Sequence, residues 1–175
     1  MFFFYQISLS ILILISPIII FFRIIKNKED KKRFIEKFSV FSKKRTKGTL
    51  IWFHGASVGE ILSVIPVIKK DENDKSINQI LITSSTLSSS KVFFKFKFKK
   101  TIHQFYPLDH FFFTNRFLKY WKPDIAIFID SEIWPCMFKT LDNLKIPLVL
   151  LNARITKKTF IRWMKIKKFS KKKMI

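Results

Sequence analysis

The chain has one cysteine and three glycines in 175 residues, and 12 acidic residues against 34 lysines and arginines. The lone Cys136 excludes an intramolecular disulfide framework and agrees with a reducing compartment. It follows Trp134-Pro135 and reads as a small buried filler. With so little glycine there is no glycine-rich phosphate loop. The three histidines, His54, His103 and His110, have no spacing that suggests a metal site, so no metal is expected. There are no internal repeats. The length leaves room for one core of ordinary domain size once a membrane segment is subtracted.

The first 22 residues carry no charged side chain. Phe3 to Phe22 is long enough to cross about 30 Å of hydrocarbon as a helix. A cleaved signal peptide would need a basic leading region and a small-x-small cleavage site, and neither is present. The expectation is a membrane anchor over residues 1–22. Arg23, Lys26, Lys28, Lys31, Lys32 and Arg33 follow it, and basic residues beside a span stay on the cytoplasmic side. The expected location is the inner membrane, single-pass, with the rest of the chain on the cytoplasmic face.

The net charge of +22 has three explanations: an anionic membrane surface, a nucleic acid, or compositional drift towards Lys, Phe, Ile and Asn. The lysines are scattered, as drift requires. The densest clusters, at residues 23–47 and 157–174, favour anionic lipid head groups. No zinc-ligand spacing or RNA-binding signature accompanies the charge, so no nucleic acid is expected.

After a basic linker at residues 23–48, with a short helix near 31–38, strand and helix signals alternate about every 25 residues, the rhythm of βαβ units in a parallel sheet. Strands are expected near 49–54, 78–83, 102–106, 125–129 and 147–151. The first helix should begin near Val58 and bury Ile61, Leu62, Ile65 and Ile68, with Pro66 as an interruption. Residues 94–99 alternate Phe and Lys with a strand's period, yet consecutive parallel strands need a crossover, so a helix is expected over 87–98. Helices over 110–121, capped by Asp109, and 134–143, with Pro135 in its first turn, complete the pattern. The predicted class is α/β, a single Rossmann-like domain over residues 49–156. A basic C-terminal helix over 157–175 would lie on the membrane or form half of a surface that a further domain covers.

In open parallel sheets ligands sit beyond the carboxyl ends of the strands. Trp52-Phe53-His54-Gly55-Ala56-Ser57-Val58-Gly59-Glu60 puts Ser57, Gly59 and Glu60 at such a rim. Asp130-Ser131-Glu132-Ile133-Trp134-Pro135 follows another strand and adds carboxylates. Glu60 is a candidate base; the alternative is an acidic helix cap. For Asp130 and Glu132 the alternative is a cap that seats a tryptophan. Arg154 either pairs with these carboxylates, holds a phosphate bidentately, or forms a surface ion pair.

Together, HGASVGE and DSEIWP resemble the amino-terminal half of the Kdo (3-deoxy-D-manno-octulosonic acid) transferases. Tyr106-Pro107-Leu108-Asp109 and Asn152-Ala153-Arg154-Ile155-Thr156 resemble that family's further elements, in order, over residues 30–165. The resemblance implies the acceptor half of a two-domain GT-B glycosyltransferase, truncated before the donor-binding domain. It implies inverting transfer of Kdo from CMP-Kdo to a lipid A precursor (lipid IV-A), without a cofactor. It assigns catalysis to Glu60, Asp130 and Glu132, and acceptor binding to Ser57, Gly59, Thr83, Asp109 and Arg154. Asp130 stands where the family usually has Glu, one methylene longer. Ser89 stands where the family has Gly, so a left-handed backbone there would be strained. Without a donor half the chain is either one part of a split enzyme, with a separate donor-binding chain, or a noncatalytic membrane-bound remnant.

Overall fold

Short β-branched and aromatic runs separated by helical periodicity give the described residues five parallel strands. The computed structural model describes residues 2–130 and 133–152. In chain order the elements are α1 (Phe2–Ile25), a 3-10 turn (Phe34–Phe38), β1 (Leu50–His54), α2 (Val58–Glu72), β2 (Gln79–Ser84), α3 (Leu87–Phe93), β3 (Thr101–Phe105), α4 (Phe111–Trp121), β4 (Ile125–Ile129), α5 (Pro135–Asn143) and β5 (Leu148–Leu151). The strand order is β3-β2-β1-β4-β5. This is the doubly wound arrangement, whose order reverses between β1 and β4.

Right-handed crossovers put α2 and α3 on one face of the sheet and α4 and α5 on the other. Ile61, Val64 and Ile68 of α2 pack on Phe53, Ile80 and Ile82. Opposite them, Phe117, Leu118 and Trp121 of α4 and Met137 and Leu141 of α5 cover Trp52, Leu81 and Phe128. Each fully buried side chain of this size contributes about 1.5–3 kcal/mol. Pro66 does not end α2, which continues to Glu72.

The free edge of β3 is closed by side chains. Arg33 forms a two-pronged pair with Glu36, at 2.8 Å on each arm, and donates to the carbonyl of His103 at 2.9 Å. Glu36, fully buried, accepts the amide of Phe105 at 2.8 Å. An edge so occupied has little left to offer another strand.

Three expectations need correction. α3 ends at Phe93, not residue 98: beyond it the chain turns, with Phe96 and Phe98 stacked at 5.9 Å and Phe98 against the α2 side of the core. α4 is capped by His110, whose Nδ1 accepts from Phe112 N, and not by Asp109. The expected membrane span falls on α1, but among the described residues no helix is long and apolar enough to cross a membrane. One side of α1 touches the body, while Leu14, Ile18, Phe21 and Phe22 are exposed. Ile20 is buried, a cleft lined by Pro17, Ile20, Phe21 and Ile24 meets Phe34 and Phe38, and Ser10 Oγ lies 3.4 Å from His110 Nε2. The expected C-terminal helix over 157–175 lies outside the described residues.

Candidate functional site at the strand ends

β1 and β4 are adjacent and parallel, with His54 paired to Phe128. The two acidic loops therefore leave the sheet side by side at its carboxyl end. A Cβ on Gly55 would lie 3.1 Å from Cβ of Glu60 and 3.4 Å from Cδ1 of Ile129. The missing side chain is what lets α2 begin so close to the strands.

Ser57 caps α2 and fixes Glu60. The Ser57 hydroxyl donates to Glu60 Oε1 at 2.6 Å, and Glu60 N donates back to Ser57 Oγ at 3.3 Å. The amide of Ala56 donates to Oε2 at 2.7 Å. This reciprocal capping box holds a half-buried carboxylate at the rim, where the helix N-terminus favours negative charge. The cap and the rim carboxylate are thus one group. Gly59 is exposed, and a Cβ there would meet only Ser57 Oγ, at 4.0 Å. Among the described residues no neighbour accounts for a glycine at that place.

Asp130 follows β4 with φ 58°, a left-handed conformation that Asp tolerates better than most residues. Its carboxylate accepts from Asn152 Nδ2 at 2.6 Å, and its amide donates to Leu151 O at 2.8 Å. Glu132 and Arg154 lie outside the described residues.

Asp109 is buried and caps α5 from a distance: its two oxygens accept the amides of Met137 at 2.9 Å and Cys136 at 3.1 Å. It ties the β3–α4 loop to the start of α5. Thr83 is fully enclosed within β2. Its hydroxyl accepts from Trp52 Nε1 at 2.9 Å and meets His54 Nδ1 at 3.0 Å, so it positions those rings and does not line the rim. Ser89 is within α3 and has no left-handed backbone, so the anticipated strain does not arise; its hydroxyl donates to Ala56 O at 3.3 Å and stitches two strand-end loops together.

His54 is buried, and desolvation lowers its pKa to about 3, so it is neutral. Its ring stacks on Tyr106 at 3.9 Å, and Tyr106 meets Trp134 at 5.1 Å. Among the described residues, His54 Nε2 and Trp134 Nε1 are buried without a hydrogen-bond partner. Tyr106 and Trp134, with Ser85, Asp109 and His110, line a cavity of about 270 Å³ whose other wall is Leu9, Ile13 and Ser16 of α1. Sequence reasoning quoted the Tyr106 and Trp134 motifs but missed that they meet. The α1 wall, about a hundred residues distant in sequence, gave no signal.

Together these features define a Rossmann-type α/β domain with its acidic loops gathered at the topological switch point. The profile described as 3-Deoxy-D-manno-octulosonic-acid transferase (kdotransferase) matches residues 32–174. The chain is 40% identical over 152 residues to a probable mitochondrial 3-deoxy-D-manno-octulosonic acid transferase of Arabidopsis thaliana, covering 85% of this chain and 34% of that one. It is 38% identical over 162 residues to the 3-deoxy-D-manno-octulosonic acid transferase of Rickettsia bellii, covering 92% and 38%. With that of Haemophilus influenzae the identity is 28% over 162 residues, covering 90% and 38%. The chain belongs to the 3-deoxy-D-manno-octulosonic acid transferase family, and it spans 34–38% of the length of these three relatives.

Proposed function

We propose that this chain supplies the acceptor-binding half of a Kdo transferase, which moves Kdo from CMP-Kdo to a hydroxyl of the phosphorylated lipid A precursor lipid IV-A. The observation that carries this reading is Glu60, held by Ser57 and Ala56 at the open end of the sheet beside Asp130. Glu60 accepts the proton of the acceptor hydroxyl as its oxygen attacks the anomeric carbon. The new carbon–oxygen bond forms as the bond to the phosphate of CMP breaks, with inversion, and CMP leaves with the bonding electrons. Asp130, and Glu132 by family resemblance, supply negative charge near the developing oxocarbenium character.

Gly59 keeps the approach to Glu60 open, and Trp134, whose indole N–H has no partner among the described residues, lines the neighbouring cavity. Ser57, Asp109 and, by resemblance, Arg154 belong to the acceptor side; Thr83 acts through the rings it holds. No cofactor enters this scheme. CMP-Kdo is held mainly by a donor-binding half, in the same polypeptide or in a separate chain, at the cytoplasmic face of the inner membrane. Orienting the activated sugar contributes several kcal/mol of barrier lowering, so the second reading is an acceptor-binding subunit that turns over only with that partner.

Labelled Kdo transfer to lipid IV-A by membranes containing this chain, with and without a donor-binding half from a relative, tests the reading. Transfer is expected with both halves and absent or slow with this chain alone. No transfer under either condition, together with no retention of lipid IV-A by the chain, contradicts it.

A further inference from the structure

α4 buries one side and exposes an unusual one. Thr114, Phe117, Leu118 and Trp121 face the core. Directly opposite run Phe112, Arg116 and Lys119, spaced i, i+4 and i+7, all exposed, with Phe111 beside them. Phe112 is 60% exposed and Phe111 43%. α4 contains no acidic residue. The chain at 41–44 runs along the same side: Phe41 stacks on Tyr120 at 3.7 Å with Arg116 over its ring, and Tyr120 donates to Lys43 O at 2.8 Å. Lys43 and Lys44, both exposed, thereby join the cationic rim.

We propose that the Phe111–Phe112 end of α4 docks into an anionic bilayer surface, with Arg116 and Lys119 at the level of its head groups. The helix rise supports the match. At 1.5 Å per residue Arg116 stands about 6 Å above Phe112 and Lys119 about 10 Å above it. A head-group layer is roughly 5–8 Å deep, so phenyl rings at its inner boundary leave the guanidinium among phosphates and the ammonium at its outer edge. α4 begins directly after β3, so its amino terminus is at the carboxyl end of the sheet, where Glu60 and Asp130 also sit. His110 ties this end to Ser10 of α1, whose neighbouring residues Leu14, Ile15, Ile18 and Ile19 are exposed. The docked surface and the rim that receives the acceptor therefore belong to the same end of the domain.

This surface deepens the proposed function, resting on it only for the lipid acceptor. Its test reads binding and not transfer, so the two can fail separately. The full chain carries Phe112→Cys in a Cys136→Ala background and an environment-sensitive fluorophore at residue 112. Vesicles of phosphatidylcholine alone are compared with equal parts of phosphatidylcholine and phosphatidylglycerol. The label is expected to shift to the blue with the anionic vesicles only, to lose most of that shift in high salt, and to lose it in Arg116→Glu/Lys119→Glu. A label at Leu62, exposed on α2 across the sheet, should not respond. The proposal is overturned if the residue 112 label is unmoved by anionic vesicles, if it responds equally to both compositions or to both label positions, or if a donor-binding half covers it without lipid.

Discussion

Ser57 and Glu60 hold each other across the first turn of α2, the hydroxyl on the carboxylate at 2.6 Å and the Glu60 amide on the hydroxyl at 3.3 Å. The pair gives one residue a structural duty and the other an orientation. Ser57→Ala should cost about 1 kcal/mol of stability, the usual loss for a removed cap. It should also slow Kdo transfer modestly, because Ala56 N still holds Oε2. Urea unfolding beside initial rates separates the two effects.

Gly59 and Gly55 should respond in opposite ways. Gly59→Ala puts a methyl into open space on a helix and should raise stability by up to about 1 kcal/mol. The same methyl sits where the acceptor approaches, so KM for lipid IV-A should rise. Gly55→Ala crowds Glu60 Cβ at 3.1 Å and Ile61 Cδ1 at 3.3 Å, and should lower both stability and rate. Thermal melts and acceptor titrations check the pair.

Asp109 joins the β3–α4 loop to α5 through two amides. Asp109→Ala leaves those buried donors without their acceptor and should cost about 1.5–3 kcal/mol, the range for hydrogen bonds to a charged group. Asp109→Asn keeps an acceptor oxygen and should cost less. The ordering is read from urea midpoints at constant m.

His54 and His103 are both neutral in the fold, held at a pKa of about 3, each by desolvation and His103 also by Arg33. Their folded pKa values lie below the unfolded value near 6.5. The stability they contribute is therefore present above about pH 6.5 and is lost as pH falls towards 3, since the unfolded chain binds the extra protons. The slope should approach about 1.4 kcal/mol per pH unit for each histidine between pH 6 and 4.5. Melting temperature against pH measures it, and His103→Gln should flatten the curve even though the variant starts less stable.

The strands were legible as short apolar runs, mostly buried in β1 to β4 and largely exposed in β5: β4 falls on residues 125–129 as its run indicates, and the others lie within two residues of expectation. Chain-distant contacts were not legible. Asp109 looked like a local cap for α4 and instead caps α5, a choice made by the packing of two loops. The Phe/Lys alternation at 94–99 carried a strand's period and a crossover's position, and the structure resolves it as a turn after a short helix. At the site, the motifs placed Glu60 and Asp130 each after a strand end, and the pairing of β1 with β4 makes those ends neighbours; nothing in the sequence showed that Thr83 would be enclosed or that Tyr106 and Trp134 would meet.

The central claim is that the carboxylate of Glu60 removes the acceptor proton. The measurement is the initial rate of labelled Kdo transfer to lipid IV-A by the chain with a donor-binding half, comparing the native residue with Glu60→Gln, which keeps an oxygen acceptor for the capping box. The account predicts a fall of at least about 100-fold with the melting temperature nearly unchanged. A Glu60→Gln protein that transfers Kdo at the native rate contradicts it.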